Sequence, residues 1–209
     1  MTDEFHKPTQ YSGDKFDTFQ GGDDPAQILR IAHDTAHALV ARARATDDPA
    51  VVERLVAYTD EHGVDALSEL WARSSATSLP GALWRIYLIR LLIRQDAEGI
   101  AYLFQRGTEV LGTIDAAVAG APMPTGPEEI IDLADESLRG LFRGDFATAL
   151  DRAAAFCRIT SAGCVSVADD VDLITPERAS ELTTRALRLT LTGDELSTCA
   201  RLDRAGNLD

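Results

Sequence analysis

The sequence predicts an all-α fold of about eight or nine helices, arranged as stacked antiparallel αα-hairpins around a central apolar helix. Three observations support this fold class. Helix start and stop signals recur along the chain, the apolar residues between them repeat in steps of three and four, and no β-hairpin pattern is present. The loops between the predicted helices are short, and short loops favour antiparallel neighbours.

The beginning of the chain predicts an irregular arm. Residues 1–22 contain three glycines, one proline and isolated aromatic side chains, without apolar periodicity. The aromatic side chains leave two alternatives open, docking onto a protein surface or a solvated terminus. We interpret residues 1–22 as an N-terminal arm and residues 23–209 as a single all-α domain. A candidate subdomain break lies at 120–127, where glycines and prolines cluster.

Four predicted helices follow the arm. An aspartate N-cap followed by proline at the first helical position begins helices at 24–25 and at 48–49. The second helix ends at Gly63, and a short third helix covers residues 67–71. The fourth, at roughly 80–95, is apolar on nearly every side apart from its arginines. Such a helix is predicted to lie at the centre of the bundle, in contact with several others.

The next helices are also marked by caps. Asp96 begins a helix whose apolar stripe continues to Val118. Gly107 lies within that stripe, which indicates close approach of another helix. Thr125 and Glu128 have the spacing of a capping box and predict the start of the following helix.

The last part of the chain predicts three more helices and one loop. Asp145 caps a helix that ends at Gly163. Residues 164–174 are the only strand-like stretch, and without a partner strand we interpret them as an extended loop. A further helix begins at 175–176 and ends at Gly193, and a last short helix follows it.

Charge and composition exclude several functional classes. With 34 acidic and 20 basic residues the net charge is −14, and this sign opposes binding to nucleic acid or to an anionic membrane. The three cysteines form no CxxC pair, which predicts free thiols in a reducing compartment. The N-terminal residues lack the features of a signal peptide, and the most apolar stretch is too short to span a bilayer. We therefore expect a cytoplasmic protein that binds a protein partner or itself.

One pair of histidines is a candidate metal site. His33 and His37 lie one helical turn apart and can share a metal ion, with Asp34 as a further ligand. The His33-Asp34 dipeptide resembles the motif of HD-domain metal phosphohydrolases, which are also all-α. That resemblance implies a metal-dependent hydrolase. The alternative is that these residues form an ordinary polar edge of the helix.

Two arginines form a candidate anion site. Arg90 and Arg94 lie one turn apart on the most apolar predicted helix and could clamp a carboxylate or a phosphate. The alternative is that both arginines pair with internal acids, since a buried arginine requires a partner.

No nucleotide-binding, nucleophile or metalloprotease motif is present, so we expect no cofactor and favour a non-enzymatic role. Residues 142–156 resemble the junction of a tetratricopeptide hairpin. Residues 86–112 and 121–156 resemble uncharacterised helical proteins of high-G+C Gram-positive bacteria, a resemblance that implies no activity. Our first hypothesis is an oligomeric interaction or regulatory protein. The alternatives are the metal-dependent hydrolase and a helical bundle that binds a small anion.

Overall fold

The computed structural model describes residues 24–45, 54, 71–120, 125–143 and 145–209. Within these ranges it contains helices and no strand, which confirms the all-α class. The helices are α1 (Pro25–Ala45), α2 (Leu79–Gln95), α3 (Ala97–Val110), α4 (Asp115–Ala119), α5 (Pro127–Arg143), α6 (Phe146–Val171) and α7 (Pro176–Arg204). The predicted arm at 1–22, the predicted helix at 48–63 apart from residue 54, residues 67–70 of the predicted third helix and residues 121–124 of the candidate break lie outside the described residues.

Side-chain caps fix the starts of several helices. The carboxylate of Asp96 accepts a hydrogen bond from the Gly99 N–H at 3.0 Å and caps α3. Asp145 caps α6 in the same way, and Ser78 caps α2. The caps at Asp96 and Asp145 confirm the sequence prediction. These side chains satisfy backbone donors that the first turn of a helix leaves without an intrahelical partner.

The start of α5 differs by one residue from the predicted capping box. The helix begins at Pro127, and the carboxylate of Glu129 accepts a hydrogen bond from the Gly126 N–H at 2.9 Å. Glu129, not Glu128, therefore occupies the third helical position. Proline is favoured at the first helical position, which sets the start of this helix.

The predicted helix from Asp96 to Val118 is two helices. Leu111 has an extended backbone conformation, so α3 ends at Val110. Helix α4 then begins at Asp115. The Thr113 hydroxyl donates to the Asp115 carboxylate at 2.8 Å, a local bond that stabilises the turn between the two helices.

Two glycines that predicted helix ends lie inside long helices. Gly163 is within α6, and residues 164–171, predicted as extended loop, form the last turns of this helix. Gly193 is within α7, which joins two predicted helices into one. Both glycines lie where another helix comes close: a Cβ on Gly163 would be 1.8 Å from the Leu103 carbonyl oxygen, and one on Gly193 would be 3.3 Å from that of Ala154.

Helices α3 and α6 cross through their glycines. A Cβ on Gly107 would lie 1.9 Å from the carbonyl oxygen of Ile159, which confirms the close approach predicted for Gly107. Beside this crossing, the rings of Phe104 and Phe156 stack with centroids 5.8 Å apart. At this crossing the backbones of the two helices are in contact, and an aromatic pair packs beside them.

Helices α6 and α7 form an antiparallel hairpin. The hydroxyl of Ser161 donates to the Ala186 carbonyl at 2.9 Å, and earlier in α6 the carboxylate of Asp151 accepts from Arg204. Lower-numbered residues of α6 therefore contact higher-numbered residues of α7. The predicted count of eight or nine helices and their arrangement as stacked hairpins stay predictions.

The core lies around α2 and α6. Helix α2 packs against α1, α3, α5, α6 and α7, and α6 packs against α2, α3, α4, α5 and α7. The largest buried aromatic side chains of this core are Trp71, Tyr87, Phe104, Phe146 and Phe156. The sequence predicted the many contacts of α2 but did not single out α6. Among the described helices, none has the length and apolar character needed to span a bilayer.

Candidate functional site

A groove of about 550 Å³ runs between α2 and α7. Its apolar side chains are Leu88, Ile89, Leu92 and Leu189. Ile89 and Leu189 are buried and connect the groove to the core, while Leu88 is 40% exposed. Three hydroxyl side chains of α7 also line it. The groove therefore combines an apolar base with polar walls.

Three arginines and one glutamate supply the charge of the groove. Arg85 pairs with Glu195 and donates a second hydrogen bond to the Gly81 carbonyl at 2.9 Å. Glu181 pairs with Arg178 at 3.1 Å. The groove is thus locally cationic in a chain whose net charge is −14.

Two of these arginines hold no carboxylate from the part of the chain that the structure describes. Neither Arg185 nor Arg188 forms an ion pair with another residue of the described ranges. The Nη1 atom of Arg185 is buried and has no hydrogen-bond partner among these residues. A buried donor without a partner costs about 1–3 kcal/mol. A carboxylate that entered the groove could pair with the accessible nitrogens of both guanidinium groups, and rotation of the Arg185 guanidinium would be needed for Nη1 to contact it.

A second cluster lies at the end of α7. The Asp209 Oδ1 atom is 3.2 Å from the Nε2 atom of His37 and 3.9 Å from the Nδ1 atom of His33. The three ligand atoms of the cluster all lie within 4.8 Å of one another. The structure therefore places His33 and His37 close together, and metal binding by them stays a prediction. Asp34, the predicted third ligand, is exposed on α1 and does not belong to this cluster.

The backbone after α7 places Asp209 beside α1. Gly206 has a φ of 69°, and the N–H of Asn207 donates to the Leu202 carbonyl at 2.9 Å. This Schellman geometry ends α7 and turns the chain. Leu208 then packs against the core, and the Asp209 carbonyl accepts from the Leu79 N–H at 2.8 Å. Asp209 is thus positioned by its main chain at the N-terminus of α2.

Arg90 and Arg94 share one carboxylate. The Nε atom of Arg90 donates to the Asp135 Oδ1 atom at 2.7 Å, and the Nη2 atom of Arg94 donates to Oδ2 at 3.0 Å. The space beside Arg90 measures about 10 Å³, which is the room of one water molecule. This geometry favours the alternative of structural ion pairs, here between α2 and α5.

The cysteine thiols are buried inside the bundle. Burial raises the pKa of the Cys157 thiol to about 12. It raises the pKa of the Cys164 and Cys199 thiols to about 11. Because the thiolate is the reactive form, these thiols are protonated and unreactive at neutral pH.

Sequence reasoning missed Asp209, Arg185 and Arg188. The two arginines lie three residues apart on α7, so the sequence did show that they share one side of that helix. It did not show that this side faces α2. No protein-family model, curated protein or solved structure matches the chain.

Proposed function

We propose that the chain is a non-enzymatic interaction protein that binds an acidic segment with apolar side chains in the α2–α7 groove. The observation that carries the proposal is the pairing of an apolar base with Arg185 and Arg188 in an otherwise acidic protein. A segment that inserts aliphatic side chains and presents carboxylates to the arginines complements both features.

Exposed leucines extend the apolar surface beyond the groove. Leu91 follows Leu88 by three residues on α2, and Leu191 follows Arg188 by three residues on α7. Both leucines are exposed and lie one helical turn from a lining residue, although neither of them lines the groove itself. Scattered exposed leucines are ordinary, but leucines that adjoin a groove enlarge the area that a partner can bury.

The charge distribution restricts what can bind. The net charge of −14 repels an acidic partner at long range, but at physiological ionic strength charges are screened beyond about 8 Å. Within that distance the groove presents Arg185 and Arg188, whereas its other charged residues, Arg85 and Glu181, are each in an ion pair. The groove therefore selects a short acidic segment.

The turn between α6 and α7 is such a segment. Leu173 is 96% exposed and Ile174 is 78% exposed, although both are large aliphatic residues. Exposed acidic residues flank them, namely Asp169, Asp172 and Glu177, while Asp170 pairs with Arg106 at 3.0 Å. We therefore propose a second copy of the chain as the occupant of the groove.

A two-fold arrangement accommodates this contact. Ser180, the lining residue of α7 nearest to the turn, lies about 6 Å along α7 from its first residue, Pro176. Antiparallel pairing of two α7 helices about an axis near Ser180 brings the turn of each copy to the groove of the other. Such an interface is isologous, because the same turn and groove are used twice.

Analytical ultracentrifugation of the full chain over a range of concentrations tests the proposal. The wild type is expected to dimerise, and Arg188→Glu and Ile174→Ser are each expected to weaken dimerisation at least about tenfold, or 1.4 kcal/mol. Arg201→Glu, an exposed arginine beyond the groove on α7, is the control for charge. Tyr102→Ser, an exposed residue of α3, is the control for apolar surface.

Two results would overturn the proposal. One is a chain that stays monomeric at every concentration. The other is a dimer that Arg188→Glu and Ile174→Ser weaken no more than the controls do. Circular dichroism of each variant shows whether the helices are intact, so that loss of association is not confused with unfolding.

A further inference from the structure

We infer that His33, His37 and Asp209 form a binding site for a divalent transition-metal ion. Zn²⁺ is the ion best suited to this site, and the bound ion would link the end of the described chain to α1. This site is separate from the α2–α7 groove and does not depend on the function proposed for it.

The distances between ligand atoms are close to those of a zinc site. Zn–N and Zn–O bonds of about 2.0–2.2 Å in a tetrahedron place neighbouring ligand atoms about 3.3–3.6 Å apart. The His37 Nε2 and Asp209 Oδ1 atoms are already 3.2 Å apart. The His33 Nδ1 atom is 3.9 Å from the same oxygen, and all three ligand atoms lie within 4.8 Å of one another. Rotation of the exposed side chains would have to bring these atoms closer around an ion.

The donor atoms select the class of metal. Two imidazole nitrogens and one carboxylate oxygen suit Zn²⁺ and the neighbouring ions Ni²⁺, Co²⁺ and Cu²⁺. Mg²⁺ and Ca²⁺ prefer sites built from oxygen atoms alone. Three protein ligands leave at least one coordination position for water.

The histidines are held at a fixed spacing. They lie four residues apart on α1, whose neighbouring side chains Ala32 and Ala36 are buried in the core. The hydrogen bond from the Trp71 Nε1–H to the Thr35 hydroxyl, at 3.3 Å, also fixes this turn of the helix. A metal ion therefore meets two imidazoles whose separation is set by a packed helix.

The carboxylate is positioned independently of the histidines. The Asp209 backbone is tied to the N-terminus of α2 through the Leu79 N–H, while its side chain is 91% exposed. His33 is 24% exposed, so the cluster opens to solvent on the Asp209 side and lets an ion enter. A bound ion would link α1 directly to the segment that follows α7.

Isothermal titration of the untagged, chelator-treated full chain with ZnCl₂ tests the site. The wild type is expected to bind one Zn²⁺ per chain. Loss of an outer-shell partner typically costs about 10- to 100-fold in metal affinity, so loss of a direct ligand in His33→Ala or His37→Ala is expected to cost at least that much. Asp209→Asn is expected to weaken binding at least about tenfold.

Asp34→Asn is the matched control, because it makes the same chemical change beside the histidines at a residue outside the cluster. Binding by Asp34→Asn is expected to equal that of the wild type. The inference is overturned if the wild type binds no zinc, if the double variant His33→Ala/His37→Ala keeps the wild-type affinity, or if Asp34→Asn weakens binding while Asp209→Asn does not. Arg188→Glu, which tests the groove, is expected to leave zinc binding unchanged.

Discussion

Replacement of Gly163 by alanine is expected to destabilise the protein, although alanine is the better helix former. The added Cβ would lie 1.8 Å from the carbonyl oxygen of Leu103 and 3.0 Å from the backbone nitrogen of Gly107. Both atoms belong to the backbone of α3, so no side-chain rotation can relieve the contact. Since Cβ contacts below 3.0 Å are essentially never seen, the two helices would have to separate by more than 1 Å.

Two opposing effects determine the magnitude. Alanine in a helix interior gains about 0.8–1 kcal/mol over glycine. Overpacking of a tight site costs about 1–3 kcal/mol, and a clash with backbone belongs at the upper end. The separation would also disturb the stacked pair Phe104 and Phe156 next to the crossing. We expect a net loss of about 2 kcal/mol, which for a chain of this size corresponds to a fall of about 4–8 °C in Tm.

Urea unfolding followed by circular dichroism measures this loss in Gly163→Ala and Gly107→Ala. Gly112→Ala is the first control, because a Cβ there meets no atom within 4 Å. Gly193→Ala is the second, because its nearest contact is 3.3 Å and only a small adjustment is needed. If Gly163→Ala and Gly107→Ala are as stable as these two controls, the backbone contact between α3 and α6 is wrong.

Three other properties of the fold can be tested in the same preparation. Asp135→Ala removes the carboxylate that the buried Arg90 shares with Arg94 and is expected to cost about 3–5 kcal/mol in urea unfolding. The three cysteine thiols, whose pKa burial raises to about 11 or 12, are expected to react with Ellman's reagent only after unfolding. The hydrogen bonds from Arg158 lower the pKa of Asp115, so its ionised form stabilises the fold above about pH 4 and this contribution is lost as the pH falls through the lowered pKa. Lowering the pH from 6 to 3 is therefore expected to cost the wild type more unfolding free energy than Asp115→Asn.

Each of these three predictions has a control variant or a result that would contradict it. Asp132→Ala removes an exposed carboxylate from the same helix, and a loss as large as that of Asp135→Ala would contradict the role of the ion pairs. Rapid labelling of any thiol in the native protein would contradict the buried positions. An Asp115→Asn variant with the same acid dependence as the wild type would show that Arg158 does not stabilise the ionised carboxylate.

The sequence predicted the helix starts better than the helix ends. Asp96 and Asp145 were recognised because an N-cap acts through bonds to residues two or three positions away, which a sequence displays directly. Gly163 and Gly193 were misread because glycine has two uses in helical proteins. It ends a helix in the left-handed conformation, or it lets another helix approach, and only the packing distinguishes these uses.

The candidate sites were predicted in part, for a similar reason. His33 and His37 share a helix, so their proximity follows from helical geometry. Asp209 lies 172 positions from His37, and only the turn after α7 brings the two together. Arg185 and Arg188 belong to the groove because α2 packs beside them, and no local pattern in α7 identifies its neighbour.

The ion pairs of α2 constrain the order in which the protein can fold during synthesis. Asp135 follows Arg90 by 45 positions, and Glu195 follows Arg85 by 110. At about 5–20 residues per second, a ribosome adds Asp135 roughly 2–9 s after Arg90, and Glu195 later still. The ion pairs of α2 with α5 and α7 cannot form before then. Completion of the bundle around α2 is therefore expected only after α7 has emerged.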